Sequence, residues 1–97
     1  MKLLAIERDI ADAENEEFGP HLKEEAFRVW ELYQAGVIRE IYFRQDQNSA
    51  VLMLECRDTA EAGEILATLP LVKRGLIAFD IIPLRAYPGF TRLFAEA

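Results

Sequence analysis

Cysteine and histidine each occur once in these 97 residues, as Cys56 and His21. A single cysteine excludes an intrachain disulfide and points to a reducing compartment. One histidine with scattered carboxylates makes no zinc spacing, so no metal is expected. No Gly-rich phosphate loop is present, and no Ser or Cys nucleophile signature. Basic residues number 11 against 17 acidic ones, a net charge of −6. A nucleic-acid binder needs a basic footprint to displace counterions, so that partner class is excluded. No apolar run approaches the ~18 residues of a membrane span. The opening run Met1–Ile6 stops at Glu7, Arg8 and Asp9, too short for the apolar region of a signal peptide. The expectation is a cytoplasmic protein with no membrane partner.

What the chain does have is apolar content, 52% of its residues. That is slightly above the soluble average of about 45–50%. The length suits one domain over residues 1–97, which buries roughly two thirds of its unfolded surface. Such a domain has one core, and an apolar excess suggests a second surface to cover.

Lys2 to Arg8 reads as a first strand, nearly continuous in apolar residues, as in a central strand. Asp9 to Gly19 is acidic and irregular, with Asp12, Glu14, Glu16 and Glu17, and reads as a solvated loop. Pro20 can open a helix, where no backbone N–H is needed. Leu22, Ala26, Val29, Trp30 and Tyr33 then form one helical stripe, and Gly36 is the stop. Val37 to Arg44 alternates as a strand. Val37, Arg39, Ile41 and Phe43 fall on one face, and Ile38, Glu40, Tyr42 and Arg44 on the other. A polar link, residues 45–48, leads to a strand over Ala50 to Cys56. Asp58 and Glu61 fit a capping box in which each side chain satisfies the other's orphan N–H. Ala62, Ile65, Leu66 and Leu69 make the second helix's buried stripe, and Pro70 ends it. Leu76 to Leu84 is the last strand. Pro83 near its end suits a sheet edge.

The order β-α-β-β-α-β predicts an α+β, ferredoxin-like domain. Its antiparallel four-stranded sheet has strand order 4-1-3-2, with both helices on one face. The other face is expected to carry Leu3, Ala5, Val51, Met53, Ala78 and Ile82. Glu7, Glu40, Tyr42, Arg44, Glu55 and Asp80 lie among them. A slip of one residue exchanges the sets. An apolar sheet face this large is rarely left in water, so a two-fold homodimer with paired sheets is expected.

His21, at the start of helix one, has the unperturbed pKa of an acid–base catalyst. Cys56 closes a strand and reads as a small buried hydrophobe. Arg39, Glu40 and Arg44 interrupt a half-apolar strand beside Tyr42. They read either as salt bridges at an edge or seam, or as an anion pocket. In that pocket an arginine grips a carboxylate, and Glu25 or Glu40 moves a proton. Glu24 and Glu25 also suit the first turns of a helix on dipole grounds alone. Phe27, Trp30 and Tyr33 read as core, or as the wall of a pocket between helix and sheet.

The segment Gln34–Arg44 holds a Gly-x-x-Arg-x-x-x-x-Arg pattern at Gly36, Arg39 and Arg44, and Leu69-Pro70-Leu71 follows helix two. With these features the stretch from about Lys23 to Leu84 resembles the muconolactone isomerase family of the dimeric α/β-barrel superfamily. The resemblance implies a ferredoxin-like protomer, face-to-face dimers or larger rings, and a pocket for a small acidic lactone. It also implies proton transfer without a cofactor. Glu25 is then the proton carrier, with His21 as second choice, and Arg39 and Arg44 hold the carboxylate. Tyr42, Trp30 and Tyr33 supply the pocket's aromatic wall. Glu40 stands where the family pattern carries His, and a carboxylate there repels an acidic substrate. Two other readings share the fold. A cofactor-free monooxygenase would bind an aromatic molecule, and a ligand-binding or assembly module would have no pocket. Fold alone does not choose among them.

Overall fold

A computed structural model describes residues 1–10 and 18–94. The acidic positions Asp12, Glu14, Glu16 and Glu17 of the expected loop lie outside the described residues. The strands are β1 (Lys2–Asp9), β2 (Ile38–Phe43), β3 (Ala50–Glu55) and β4 (Ile77–Pro83). The helices are α1 (Leu22–Gln34), α2 (Thr59–Leu66) and a single turn, α3 (Pro70–Lys73). A 3-10 turn over Gly19–His21 leads into α1, and another, Gly89–Leu93, follows β4. All strand pairs are antiparallel, in the order β2-β3-β1-β4. Read from the other edge this is the expected 4-1-3-2, and the fold is α+β and ferredoxin-like.

The core lies between the helices and one sheet face. Leu3 and Ala5 of β1 sit opposite Leu54 and Leu52 of β3. All four are buried and cluster with Ile38, Leu32, Ala62, Leu66 and Leu69. This corrects the expected parity of β1: Leu3, Ala5 and Glu7 face the helices, and Leu4, Ile6 and Arg8 face away. Residues 3–6 are all apolar, so the alternation that assigns faces was missing there. The uncovered face carries Leu4, Ile6, Val51, Met53, Ala78 and Ile82. Tyr42 donates to Glu40 (2.9 Å) and Arg8 to Asp80 (3.0 Å) on the same face. The Glu40 carboxylate raises the Tyr42 hydroxyl's pKa through that bond.

A second correction concerns β2. Ile38 sits opposite Leu54, but Glu40 sits opposite Met53, so Arg39 has no partner of its own on β3. This bulge lets Ile38 share the covered face with Ile41 and Phe43, against strict alternation. Arg39 Nε folds back to the Gly36 carbonyl at 2.7 Å.

A third correction concerns α1. Leu32 is buried and Val29 packs on the core. The polar residues Glu25 and Arg28 complete that inward stripe. Leu22, Ala26, Trp30 and Tyr33 lie outside, with Trp30 56% and Tyr33 49% exposed. The two indicated sets, 25/28/29/32 and 22/26/30/33, are both helical stripes. The inward one wins because its polar members find partners: Arg28 Nε donates to Thr68 Oγ1 (2.9 Å), and Glu25 Oε1 accepts from the Leu71 N–H (3.0 Å). Trp30 and Tyr33 stack on each other, their centroids 6.3 Å apart. Both rings have polar tips that tolerate water.

Helix ends follow their sequence signals with two changes. Gly36 (φ 79°) and Gly75 (φ 73°) take the left-handed conformation that closes α1 and α3. Asp58 Oδ1 caps the Glu61 N–H at 2.8 Å. The Glu61 carboxylate, however, accepts from Arg57 N–H at 2.9 Å, one residue before the cap. Pro70 does not end α2. The helix stops at Leu66, and Pro70 opens α3, where its missing N–H costs nothing.

Candidate functional site

An open cleft of about 700 Å³ lies at one end of the sheet, under the entry to α1. That size suits a small organic ligand. Its floor comes from the end of β1 (Glu7, Arg8, Asp9) and from the β2–β3 hairpin (Phe43, Gln47, Asn48, Ser49). Phe18, Leu22 and Leu71 close it from the helix side. Each part arrives for a local reason. Glu7 follows Leu3 and Ala5 on the helix-facing side of β1. Leu71 is held by the Pro70 turn. Leu22 sits where the 3-10 turn passes into α1.

Glu25 is one turn beyond Leu22 and is tied to the wall through Leu71. Burial lifts its carboxyl above the ordinary carboxylate range, and the Leu71 N–H opposes that rise. The bond engages Oε1 alone. Glu7 lines the cleft itself, and its Oε1 accepts from the Ala50 N–H at 3.1 Å. Its carboxyl is also raised, first by burial, then by the charge of Asp9 and a hydrogen bond with the Asp9 side chain, and least by Glu25; the Ala50 bond opposes this. A raised folded-state pKa means that the folded protein holds these protons more tightly than the unfolded chain. Stability is therefore withdrawn as pH rises from about 4.5 through the raised values. A carboxyl whose pKa is raised toward neutrality is better matched to proton transfer than an ordinary one.

The other expected site residues lie elsewhere. Arg39 is at the far end of β2 from Phe43, held by Gly36. Arg44 pairs with Asp46, its Nη2 at 2.6 Å from Oδ2. Tyr42 is on the uncovered face with Glu40. Trp30 and Tyr33 are on the outer stripe of α1. His21 is half-buried between Pro20 and Leu22 and makes no side-chain cap bond to α1. None of the expected site set is on the cleft lining; Glu25 is linked to it through its bond to Leu71, which lines the cleft. Sequence reasoning missed Glu7, Phe43, Ser49 and Leu71. Glu7 shares odd-numbered parity with Leu3 and Ala5, but the apolar run over residues 3–6 hid which parity faces the helices. Cys56 is buried, and its thiol is pushed up first by that burial.

Among the described residues, no helix is long and apolar enough to cross a membrane, and no group of three or more His, Cys, Asp or Glu side chains is placed to hold a metal. A search of curated proteins finds no match. The family model described as muconolactone delta-isomerase matches residues 4–89, from β1 through the cleft elements to the turn after β4. The chain belongs to the muconolactone delta-isomerase family.

Proposed function

We propose that this protein is a cofactor-free isomerase that shifts a double bond in a small lactone or related ring held in the cleft. The supporting observation is Glu25: a half-buried carboxyl with a raised pKa, one oxygen fixed by Leu71, against a wall of Leu22 and Leu71. In this reading its carboxylate removes a proton from a ring carbon beside the double bond. The electron pair spreads onto the lactone carbonyl, and a proton returns at the other end of the delocalised system. Arg39 and Arg44 lie off the cleft lining, so the reading rests on Glu25 rather than on an arginine clamp. The test is muconolactone in deuterated buffer, followed by proton NMR. Turnover with deuterium entering the product is expected, and Glu25→Gln should lower kcat by about 10² or more. A fully active Glu25→Gln enzyme would sink the assignment.

The assembled form proposed with it is a two-fold homodimer through the uncovered sheet face. Leu4, Ile6, Val51, Met53 and Ile82 form its apolar centre, and the Arg8–Asp80 and Tyr42–Glu40 pairs rim it. That arrangement, apolar inside and polar outside, is the anatomy of a protein interface.

A further inference from the structure

Among the described residues, the cleft presents acids without a cation to answer them. Glu7 and Asp9 alternate to the helix-facing side of β1, and both line the cleft. Arg8 lines it as well, but its guanidinium alternates to the opposite face, where Nε donates to Asp80 at 3.0 Å. Arg44 follows the lining residue Phe43, and both its bonds go to Asp46, at 2.9 and 2.6 Å. Neither Glu7 nor Asp9 pairs with a described lysine or arginine. Residues 11–17 and 95–97 contain no Lys, Arg or His, so the sequence outside the described residues adds no cation. With the Asp9 side chain hydrogen-bonded to Glu7, even a proton held between them leaves the pair negative. Glu7 Oε1 accepts from the Ala50 N–H at 3.1 Å, which leaves its second oxygen and the Asp9 carboxylate as acceptors toward the cleft. A ligand group that donates hydrogen bonds supplies what these oxygens lack. A ligand carboxylate brings another negative charge and no donor.

Resting on the isomerase reading above, we propose that the cleft is specific for an uncharged ring whose side arm donates hydrogen bonds, as a carboxamide or an alcohol does, and that Glu7 and Asp9 set this specificity by repelling a carboxylate arm. Leu22, Phe43 and Leu71 offer the ring an apolar wall, and Gln47, Asn48 and Ser49 add neutral polar groups from the hairpin. Specificity is a difference between two affinities, and unanswered like charge lowers one of them without improving the other. The chemistry of the ring is untouched, because the double bond and the lactone carbonyl are the same whichever arm the ring carries. Muconolactone, which carries a carboxylate, is therefore a substrate of high KM, and its uncharged counterpart is the preferred one. The residues that make the difference are specificity determinants on the sheet side of the cleft, separate from the proton carrier on α1.

The experiment compares muconolactone with its primary carboxamide, two compounds that differ by one charge and little else. Binding to the intact protein is read from the backbone amide NMR shifts of Ser49 and Leu71, and turnover from proton NMR of the ligands. The carboxamide is expected to bind roughly tenfold tighter. Its KM should be lower to match, with kcat little changed, since the arm binds equally in ground and transition states. Raising salt from about 20 mM to about 500 mM should narrow the gap by screening the repulsion. Glu7→Gln and Asp9→Asn should each tighten muconolactone binding severalfold and move the carboxamide little. Glu7→Gln keeps an oxygen for the Ala50 N–H, so its fold is retained. Glu64→Gln removes an exposed carboxylate of α2 that does not line the cleft, and it should leave the ratio of the two affinities alone. Muconolactone binding as tightly as the carboxamide, or tighter, overturns the proposal. So does a ratio that shifts as far in Glu64→Gln as in Glu7→Gln, because net charge and not the cleft would then be at work. Turnover of neither compound overturns the isomerase reading instead, and the binding ratio still decides the specificity. A cleft that binds neither compound overturns both.

Discussion

Helices α1 and α2 pack on the same sheet face, yet they are built in opposite ways. α2 is fastened at its start by Asp58 and Glu61, and it buries Ala62 and Leu66. α1 enters through a 3-10 turn with no side-chain cap, and it buries Leu32 near its far end. Its first turns are held instead by polar ties, Glu25 to Leu71 and Arg28 to Thr68. The cleft lies under that lightly fastened end. The difference teaches a division of labour: apolar packing and caps hold the scaffold, whereas the helix end at the site gives up burial to place a carboxyl. In the proposed isomerase this is the stability given up for a functional group.

The largest effect that would break this comparison is a cavity under α2. Leu66→Ala, at a residue 3% exposed, should cost about 2–5 kcal/mol in urea unfolding. Leu22→Ala, on the exposed start of α1, should stay within about 0.5 kcal/mol. Equal losses would mean that the α1 start is a packed element after all. Next in size is the cap. Asp58→Ala should cost about 1 kcal/mol through the lost Glu61 N–H bond. His21→Ala at the corresponding position of α1 has no such bond to lose, and its unfolding midpoint should not move.

The same contrast explains what was legible in the sequence. α2 announced itself through short-range chemistry, since Asp58, Glu61, Ala62 and Leu66 are all close neighbours in the chain. Strand order and the Gly36 stop were legible for the same reason, each being a local signal repeated in the right order. The candidate cleft was less legible than the scaffold. Glu25 could be singled out because it lies in the family-like region and in the first turns of a helix. Glu7 could not, because four consecutive apolar residues before it erased the alternation that tells which face it joins. Arg39 and Arg44 looked alike by spacing. The bulge at Arg39 and the Asp46 carboxylate beside Arg44 gave them separate surroundings, and neither partner can be deduced from period alone.

The smallest expected effect tests the outer stripe of α1, where Trp30 and Tyr33 led the sequence reading to the wrong face. A stripe of apolar period states only that one side of a helix prefers cover, not which neighbour supplies it. Here the core is supplied from the other side by Val29 and Leu32, and the two rings cover each other. Trp30→Ala should therefore shift the unfolding free energy by no more than about 0.5 kcal/mol when measured at micromolar protein. The measurement should be repeated across a hundredfold range of concentration, because anything that binds only the folded chain adds stability by mass action. A Trp30→Ala penalty that is small when dilute and grows with concentration would place a second copy of the chain on this stripe. A large penalty at every concentration would instead return Trp30 to the protomer's own core and undo the contrast between the two helices. A flat, small penalty leaves α1 as drawn here, a helix fastened by Leu32 and Val29 at one end and by its carboxyl and guanidinium at the other.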